Sequence, residues 1–240
     1  MKSTFAVIST AAILTFGGLT GASAQNQMGS EDGLQNPSNV VRSFSVQTVG
    51  PVLNELGMPW QVKQLDTGTQ YIHAASGSLQ FVLFFTVCKD TGCSGLQAVT
   101  FFSDSNANPQ TVQAFNVRYP FGTTGVDGDG VAYVSRYDIA DYGIPRGNIA
   151  SSLVNFIGLT EMFASELANS HQTVSLDGYA DDLASGHLNR KALEHFGGVT
   201  GEVKSSAERH QIGFEEGAEI ISQLLKDKNA PRNKIQNKLD

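Results

Sequence analysis

The two cysteines are the residues whose spacing most directly predicts chemistry. Cys88 and Cys93 are separated by four residues, and the apolar strands predicted on either side pair in a hairpin that places the two thiols opposite each other. Such neighbours lie about 4.5–5.5 Å apart at Cα, within disulfide range. A zinc site would need two further ligands, none of which sits nearby, and the C-x2-C spacing of redox pairs is absent. We therefore predict a structural disulfide.

The other ionisable residues form no recognisable catalytic or metal-binding pattern. Asp127-Gly-Asp129-Gly begins like a calcium loop, but Asp138 stands where such a loop carries glutamate, so a hairpin turn is predicted. The adjacent Glu215 and Glu216 are predicted to be solvated, and no nucleophile-elbow or zinc-helix motif is present. Five scattered histidines are predicted to lie on the surface: His73, His171, His187, His195 and His210. The sequence thus predicts no enzyme, cofactor or metal site.

Four residues in the central region are candidates for binding a partner. They are Asn116, Arg118, Arg136 and Arg146. Basic residues are sparse there, so arginines beside helix starts and strand edges could form a patch that binds carboxylates or docks a protein. The alternative is that they cap helices or pair with Asp138 and Asp141.

Composition limits the classes of partner. The chain has 240 residues, a formal net charge of -7 and 40% hydrophobic residues, as expected for one soluble domain with extensions. No cluster of lysine and arginine offsets the acidity, so we do not expect a nucleic-acid partner.

The N-terminus predicts export. Residues 1–24 combine Lys2, an apolar run and an Ala22-Ser23-Ala24 cleavage site, which is the pattern of a secretory signal peptide. An uncleaved anchor is the alternative. No later segment is long and apolar enough to cross a membrane. Residues 25–39 are rich in Gln, Asn, Gly and Ser and are predicted to be a disordered leader. The predicted location is the bacterial periplasm or beyond, where disulfides persist.

The elements that must position these residues follow from periodicity and turn chemistry. Predicted helices begin at a Ser45 cap and an Asn108 cap, and Pro51 either starts or kinks the first. In order, we predict a helix at 46–56, strands at 60–65 and 70–74, the hairpin at 79–102, a helix at 109–119, strands at 121–126 and 131–139, and a long helix at 143–167. This order predicts an α+β domain over 40–168, an antiparallel twisted sheet with helices packed on one face.

The composition changes after Ala168, where charge becomes denser and aromatic residues become rare. We predict a domain boundary there, followed by a polar, partly helical C-terminal extension over 169–240. Helices are predicted at 189–196 and 205–228.

The longer predicted helix, 205–228, starts with a capping box in Ser205 and Glu208 and is weakened by Gly213 and Gly217. Its apolar line, which needs a surface to cover it, consists of Phe214, Ala218, Ile221 and Leu225.

Several of these segments resemble the YbjN-domain family of bacterial proteins. The matching motifs are the strand at 76–88, the Cys93-Ser94-Gly95-Leu96-Gln97 strand start, the Gln113-Ala114-Phe115-Asn116 helix motif and the long-helix start at 143–149. This chain departs from the family pattern at Gln113 and Phe115, where Asn and Trp are favoured, and at Pro145, where Ser is favoured.

The resemblance implies a fold similar to type III secretion chaperones, often paired into dimers, with no agreed active site. We therefore predict a non-enzymatic periplasmic module, of binding, chaperone or regulatory type, that holds a protein partner. The alternatives are an envelope assembly protein that oligomerises through its tail helix, and a small-molecule hydrolase with an unrecognised site.

Overall fold

The computed structural model describes residues 33–169 and 201–235. The predicted signal peptide, most of the predicted leader and the predicted helix at 189–196 lie outside the described residues.

The described chain forms an antiparallel sheet packed with helices, which confirms the predicted α+β class. Three helices pack on one face as predicted, and a helix from the predicted C-terminal extension covers the other face. Its elements are β1 (Val40–Val41), α1 (Val46–Glu55), β2 (Trp60–Gln64), β3 (Gln70–Ser76), β4 (Leu79–Lys89), β5 (Gly92–Ser103), α2 (Pro109–Arg118), β6 (Thr123–Val126), β7 (Ala132–Ile139), β8 (Ile144–Pro145), α3 (Arg146–Asn169), α4 (Gly201–Lys226) and β9 (Asn233–Lys234). The sheet runs β2-β3-β4-β5-β7-β6, with β9 parallel to β5 and a separate β1–β8 pair.

Local signals explain where the first helices begin. The Ser45 side chain accepts from the Thr48 backbone N–H while the Thr48 hydroxyl accepts from the Ser45 N–H, so both bonds of a capping box form at the start of α1. At α2 the Asn108 side-chain oxygen accepts from the Thr111 N–H. Pro51 lies inside α1, which therefore does not start at 50–51. The long helix starts three residues later than predicted, because Ile144–Pro145 pairs with β1.

The predicted register of the central hairpin is confirmed. Cys88 pairs with Cys93, and the pairing continues to Val82 opposite Val99. The loop is two residues shorter than predicted, since Lys89 also pairs with Gly92, whose φ of +118° suits glycine. Beyond Val82 the predicted pairing of β4 with β5 was wrong, because β9 pairs with the end of β5 instead.

The structure contains a Cys88–Cys93 disulfide across this hairpin. Closing so short a loop contributes about 2 kcal/mol on the chain-entropy model. We expect Cys88→Ser/Cys93→Ser to fold with a free energy of unfolding lower by up to about 2 kcal/mol in denaturant titrations. Added reductant should destabilise the native chain and leave the double variant unchanged. Alkylation of both thiols in the purified protein without reductant would contradict the bridge.

The two faces of the hairpin bury different partners. Phe81, Leu83 and Phe102 belong to the core face, which packs against α1, α2 and α3, with the Phe81 ring 6.0 Å from that of Phe156. The opposite face carries Val82, Phe84, Val99 and Phe101, and it is covered by Ile220 and Leu224 of α4. We call this second surface the helix-covered face.

The prediction of a disordered leader does not hold for residues 33–39, which contact the domain. Arg146 donates to the Gln35 carbonyl and forms a 2.8 Å ion pair with Glu55, which also accepts from the Gln35 N–H. Gly147 donates to the Pro37 carbonyl. The composition of the leader could not predict these contacts, because its backbone groups and the distant Arg146 make most of them.

Candidate functional site

The contact between α4 and the sheet is the site that the fold brings together from distant parts of the chain. The buried side of α4 consists of His210, Gly213, Gly217, Ile220 and Leu224. The predicted apolar line was therefore only partly right. Ile221 and Leu225 pack partly against the cluster, and the half-exposed Phe214 ring lies 4.8 Å from that of Tyr137, but Ala218 is exposed.

The two glycines determine this orientation of α4. A methyl group on Gly213 would overlap Cγ2 of Val87 and lie 2.8 Å from the Tyr137 hydroxyl. One on Gly217 would overlap Oε1 of Gln97. At Gly213 the helix backbone therefore approaches the sheet where a larger residue would hold it away, whereas at Gly217 the overlapping atom is the end of the Gln97 side chain, which can move. The glycines that weaken an isolated helix are the ones that let this helix dock.

The predicted capping box was wrong because the helix continues N-terminally to Gly201. Ser205 instead accepts a 2.8 Å hydrogen bond from Arg209 within the helix. The neighbouring Ser206 hydroxyl donates to the Asp141 carboxylate, which lies just beyond β7. This part of the helix thus contributes to a polar contact across the interface.

A chain of polar groups runs through the N-terminal part of the interface. The Thr86 and Tyr137 hydroxyls lie 2.9 Å apart, and the Tyr137 hydroxyl lies 2.9 Å from Nδ1 of His210. Nε2 of His210 is 3.2 Å from Oδ1 of Asp141, near enough for an ion pair although not aligned as a hydrogen bond. Arg209 contacts the other Asp141 oxygen at 3.0 Å. The prediction that His210 is a surface residue was wrong, since it is 2% exposed.

Burial and hydrogen bonding act against each other at Asp141. Burial raises the pKa of Asp141, but hydrogen bonds from Ser206 and Ser94 and the contact with His210 lower it to about 2. For Tyr137, burial raises the pKa, with carboxylates adding to the rise and the Thr86 hydrogen bond opposing it. A carboxylate is therefore held ionised, and a phenol held neutral, inside the contact.

Glu216 of α4 joins the helix to an irregular point of β4. Its Oε2 accepts a 2.9 Å hydrogen bond from the Val87 N–H, so the prediction that it is simply solvated was incomplete. Val87 has a φ of +55°, which a β-branched residue rarely adopts, and it falls between the paired residues Thr86 and Cys88. The helix thus satisfies a backbone donor that the sheet ladder does not use.

The chain that follows α4 enters the sheet as β9. Asn233 of β9 hydrogen-bonds Gln80 on β4 and Phe101 on β5 through its side chain. Arg232 donates to the Leu225 carbonyl at 2.5 Å, which gives a partner to one of the last carbonyls of α4.

The four predicted partner-binding residues each contact a different part of the domain. Asn116 bonds both the N–H and the carbonyl of Thr124, which joins α2 to the edge strand β6. The arginine contacts are Arg118 with Glu166 at 3.4 Å, Arg136 with Ser152 at 2.6 Å and Asp138 at 3.7 Å, and Arg146 with Glu55. Within the described residues, no hydrogen bond or ion pair joins any two of the four.

The arrangement does not present its polar groups to a substrate. Asp141 and His210 are 3% and 2% exposed at their side chains, and their neighbours are occupied with one another. Asp127 closes the β6–β7 turn by accepting from the Asp129 and Val131 N–H groups, as predicted for a turn. Across residues 33–169 and 205–235, no three His, Cys, Asp or Glu side chains are placed to hold a metal ion.

A separate groove of about 500 Å³ lies between α2 and the β6–β7 pair. It is lined by Pro109, Val112, Gln113, Asn116, Val117, Gly125, Val126 and Tyr133. None of the helices in the described part of the chain is long and apolar enough to span a bilayer.

Sequence reasoning missed the interface because it searched for large apolar residues. The buried positions of α4 do recur at alternating spacings of three and four, but two of them are glycine and one is histidine. Reading small residues as a contact surface would have found this face of the helix.

Comparison with known proteins gives a family and remote structural likenesses. The profile of the YbjN family, described as "Putative bacterial sensory transduction regulator", matches residues 45–169. A search of curated proteins returns no match.

Two solved structures show the likeness. The crystal structure of "YbjN, a putative transcription regulator from E. coli" is 14% identical, covers 56% of this chain and 97% of that chain, and has a TM-score of 0.41. An uncharacterized protein from Methanothermobacter thermautotrophicus is 11% identical, with 54% and 100% covered and a TM-score of 0.38.

Proposed function

Because the chain belongs to the YbjN family, we propose that it is a non-enzymatic, exported module that binds a helical protein segment on the helix-covered face. In the structure its own α4 occupies that face. The observation that carries the proposal is the manner of contact, in which a helix from outside the family-matched residues 45–169 lies on the sheet through Gly213 and Gly217.

The chemistry of the contact supports a recognition surface. The helix-covered face is apolar at its centre, where Val82, Phe84 and Val99 meet Ile220 and Leu224. Polar groups stand at both ends, at Asp141 and at the Gln80 backbone. An apolar centre with polar ends that set direction is the usual pattern for a helix held in a groove.

The N-terminus and the cysteines support export. Residues 1–24 carry the features of a signal peptide, and the Cys88–Cys93 disulfide suits an oxidising compartment. Binding in the periplasm would place the module among envelope proteins, whose segments it could hold as a chaperone or regulator does.

The test is whether the domain binds residues 201–235, which contain α4 and β9, when they are added as a separate peptide. Gly213→Leu in the full chain should displace α4 and leave the helix-covered face free, so a fluorescent peptide of residues 201–235 should bind this variant with a Kd of roughly micromolar order, which corresponds to about 8 kcal/mol. The native chain, whose face is occupied, should bind it at least about tenfold more weakly.

Ala218→Leu is the matched control, because Ala218 faces solvent on the same helix. It should bind the peptide no better than the native chain does. If the Gly213→Leu chain remains folded by circular dichroism and still binds no peptide, α4 is an inseparable part of the domain and the proposal fails.

A further inference from the structure

The end of the central hairpin farthest from the disulfide contains an opening that is filled by one side chain. Strands β4 and β5 pair as far as Val82 and Val99 and then separate, and β9 pairs in parallel with the end of β5 through Asn233 opposite Phe102. The carboxamide of Asn233 lies between the two separated strands, where it contacts Gln80 and Phe101. We call this opening the asparagine slot.

The slot presents one donor and two acceptors, all from the backbone. The Gln80 N–H donates to Oδ1 of Asn233 at 2.8 Å. Nδ2 of Asn233 donates to the Gln80 carbonyl at 2.8 Å and to the Phe101 carbonyl at 3.2 Å. The side chain thus replaces the hydrogen bonds that β4 and β5 would otherwise make to each other.

This set of groups matches one side chain. A carboxamide offers two N–H donors and an acceptor, whereas a carboxylate offers only acceptors and would face two carbonyl oxygens. Serine and threonine have a single donor, and glutamine carries the same head group on a longer stem. Because the strand backbones on both sides supply the partners, the slot selects for asparagine through shape and donor count together.

The residues before Asn233 fix how the slot is approached. Ala230 and Pro231 are buried, and Arg232 donates to the carbonyls of Leu225 and Asp227 at the end of α4. The helix therefore ends, turns and enters the sheet within a few residues. One short connection therefore links the position of Leu224 on the helix-covered face to that of Asn233 in the slot.

We infer that the asparagine slot is the specificity-determining part of the peptide-binding surface. The inference rests on the proposed function. It defines the partner as an amphipathic helix with two small residues four positions apart, followed by a turn and an asparagine at the spacing from Leu224 to Asn233. The chain's own tail satisfies this description and holds the surface in the absence of a partner.

The test uses the full chain with Gly213→Leu and Asn233→Asp together, which frees both the helix-covered face and the slot. Labelled peptides of residues 201–235 are titrated against it by fluorescence anisotropy. The peptide carrying Asn233→Asp should bind about tenfold or more weakly than the native peptide, since two donors are lost and a charge faces two carbonyls. The peptide carrying Asn229→Asp is the matched control, because Asn229 is exposed, and it should bind within about twofold of the native peptide.

A second measurement does not depend on binding in trans. In the otherwise native full chain, Asn233→Ala, which removes the acceptor of the Gln80 N–H, should accelerate hydrogen exchange of the Gln80 amide about tenfold, whereas Asn229→Ala should leave it unchanged. Equal affinity of the three peptides, or unchanged exchange at Gln80, would overturn the inference. If the native peptide does not bind at all, the proposed function fails, and Gln80 exchange alone then decides whether the slot selects asparagine within the chain.

Discussion

Gly213→Leu is expected to release α4 from the sheet while the α+β domain stays folded. The added side chain has no space between Val87 and the Tyr137 hydroxyl, so the helix must move away and give up the contacts of Ile220 and Leu224. Overpacking of this kind costs about 3 kcal/mol at the upper end of its usual range. The best reporter is the Val87 amide, because its N–H donates to Glu216 of α4.

Hydrogen exchange at the Val87 amide should accelerate about a hundredfold, and the dye ANS should bind to the uncovered face. Ala218→Leu places the same side chain on the exposed side of the helix and should change neither the exchange rate of the Val87 amide nor the binding of ANS. Protection of Val87 at the native level in Gly213→Leu would show that the helix adapts to the larger residue, and our account of the glycine contact would be wrong.

Asp141→Asn is expected to destabilise the protein in a way that depends on pH. Burial raises the pKa of Asp141, but Ser206, His210 and Ser94 lower it to about 2, against an ordinary value of 3.8. Because the folded pKa lies below the unfolded one, the ionised carboxylate stabilises the fold above about pH 4. That contribution is lost as the pH falls toward 2.

The expected loss of unfolding free energy in Asp141→Asn is on the order of 2 kcal/mol at pH 5, since the variant keeps the shape but not the charge that faces Arg209 and His210. Urea titrations at several pH values should show the native and variant curves converging between pH 4 and pH 2. Asp129→Asn, in the exposed turn, should show no such difference. A gap between native and Asp141→Asn that stays constant over this range would rule out the charge as its cause.

Much of the local structure could be predicted from the residues themselves. The caps at Ser45 and Asn108, the turn at Asp127 and the pairing of Cys88 with Cys93 all depend on residues close in sequence. Their hydrogen bonds are short-range, and alternation along a strand specifies which side chains share a face. The hairpin register is the clearest case, because one pair of opposed residues determines all the pairs that form.

The interface of α4 could not be predicted in the same way. Gly213 and Gly217 mean little until Val87 and Gln97 stand opposite them, and His210 is buried only because Tyr137 and Asp141 meet it from another element. The same holds for Asn233, whose carboxamide finds its hydrogen-bond partners only where β4 and β5 separate.

The sequence by itself determined the elements, their order, the disulfide pairing and the resemblance to a family. Tertiary structure alone decided which side of α4 is buried, where the tail enters the sheet and which polar groups become neighbours. The physical reason is distance along the chain. Local propensity and periodicity act over a few residues. The close approach of α4 to the sheet and the asparagine slot form only when segments more than a hundred residues apart come into contact.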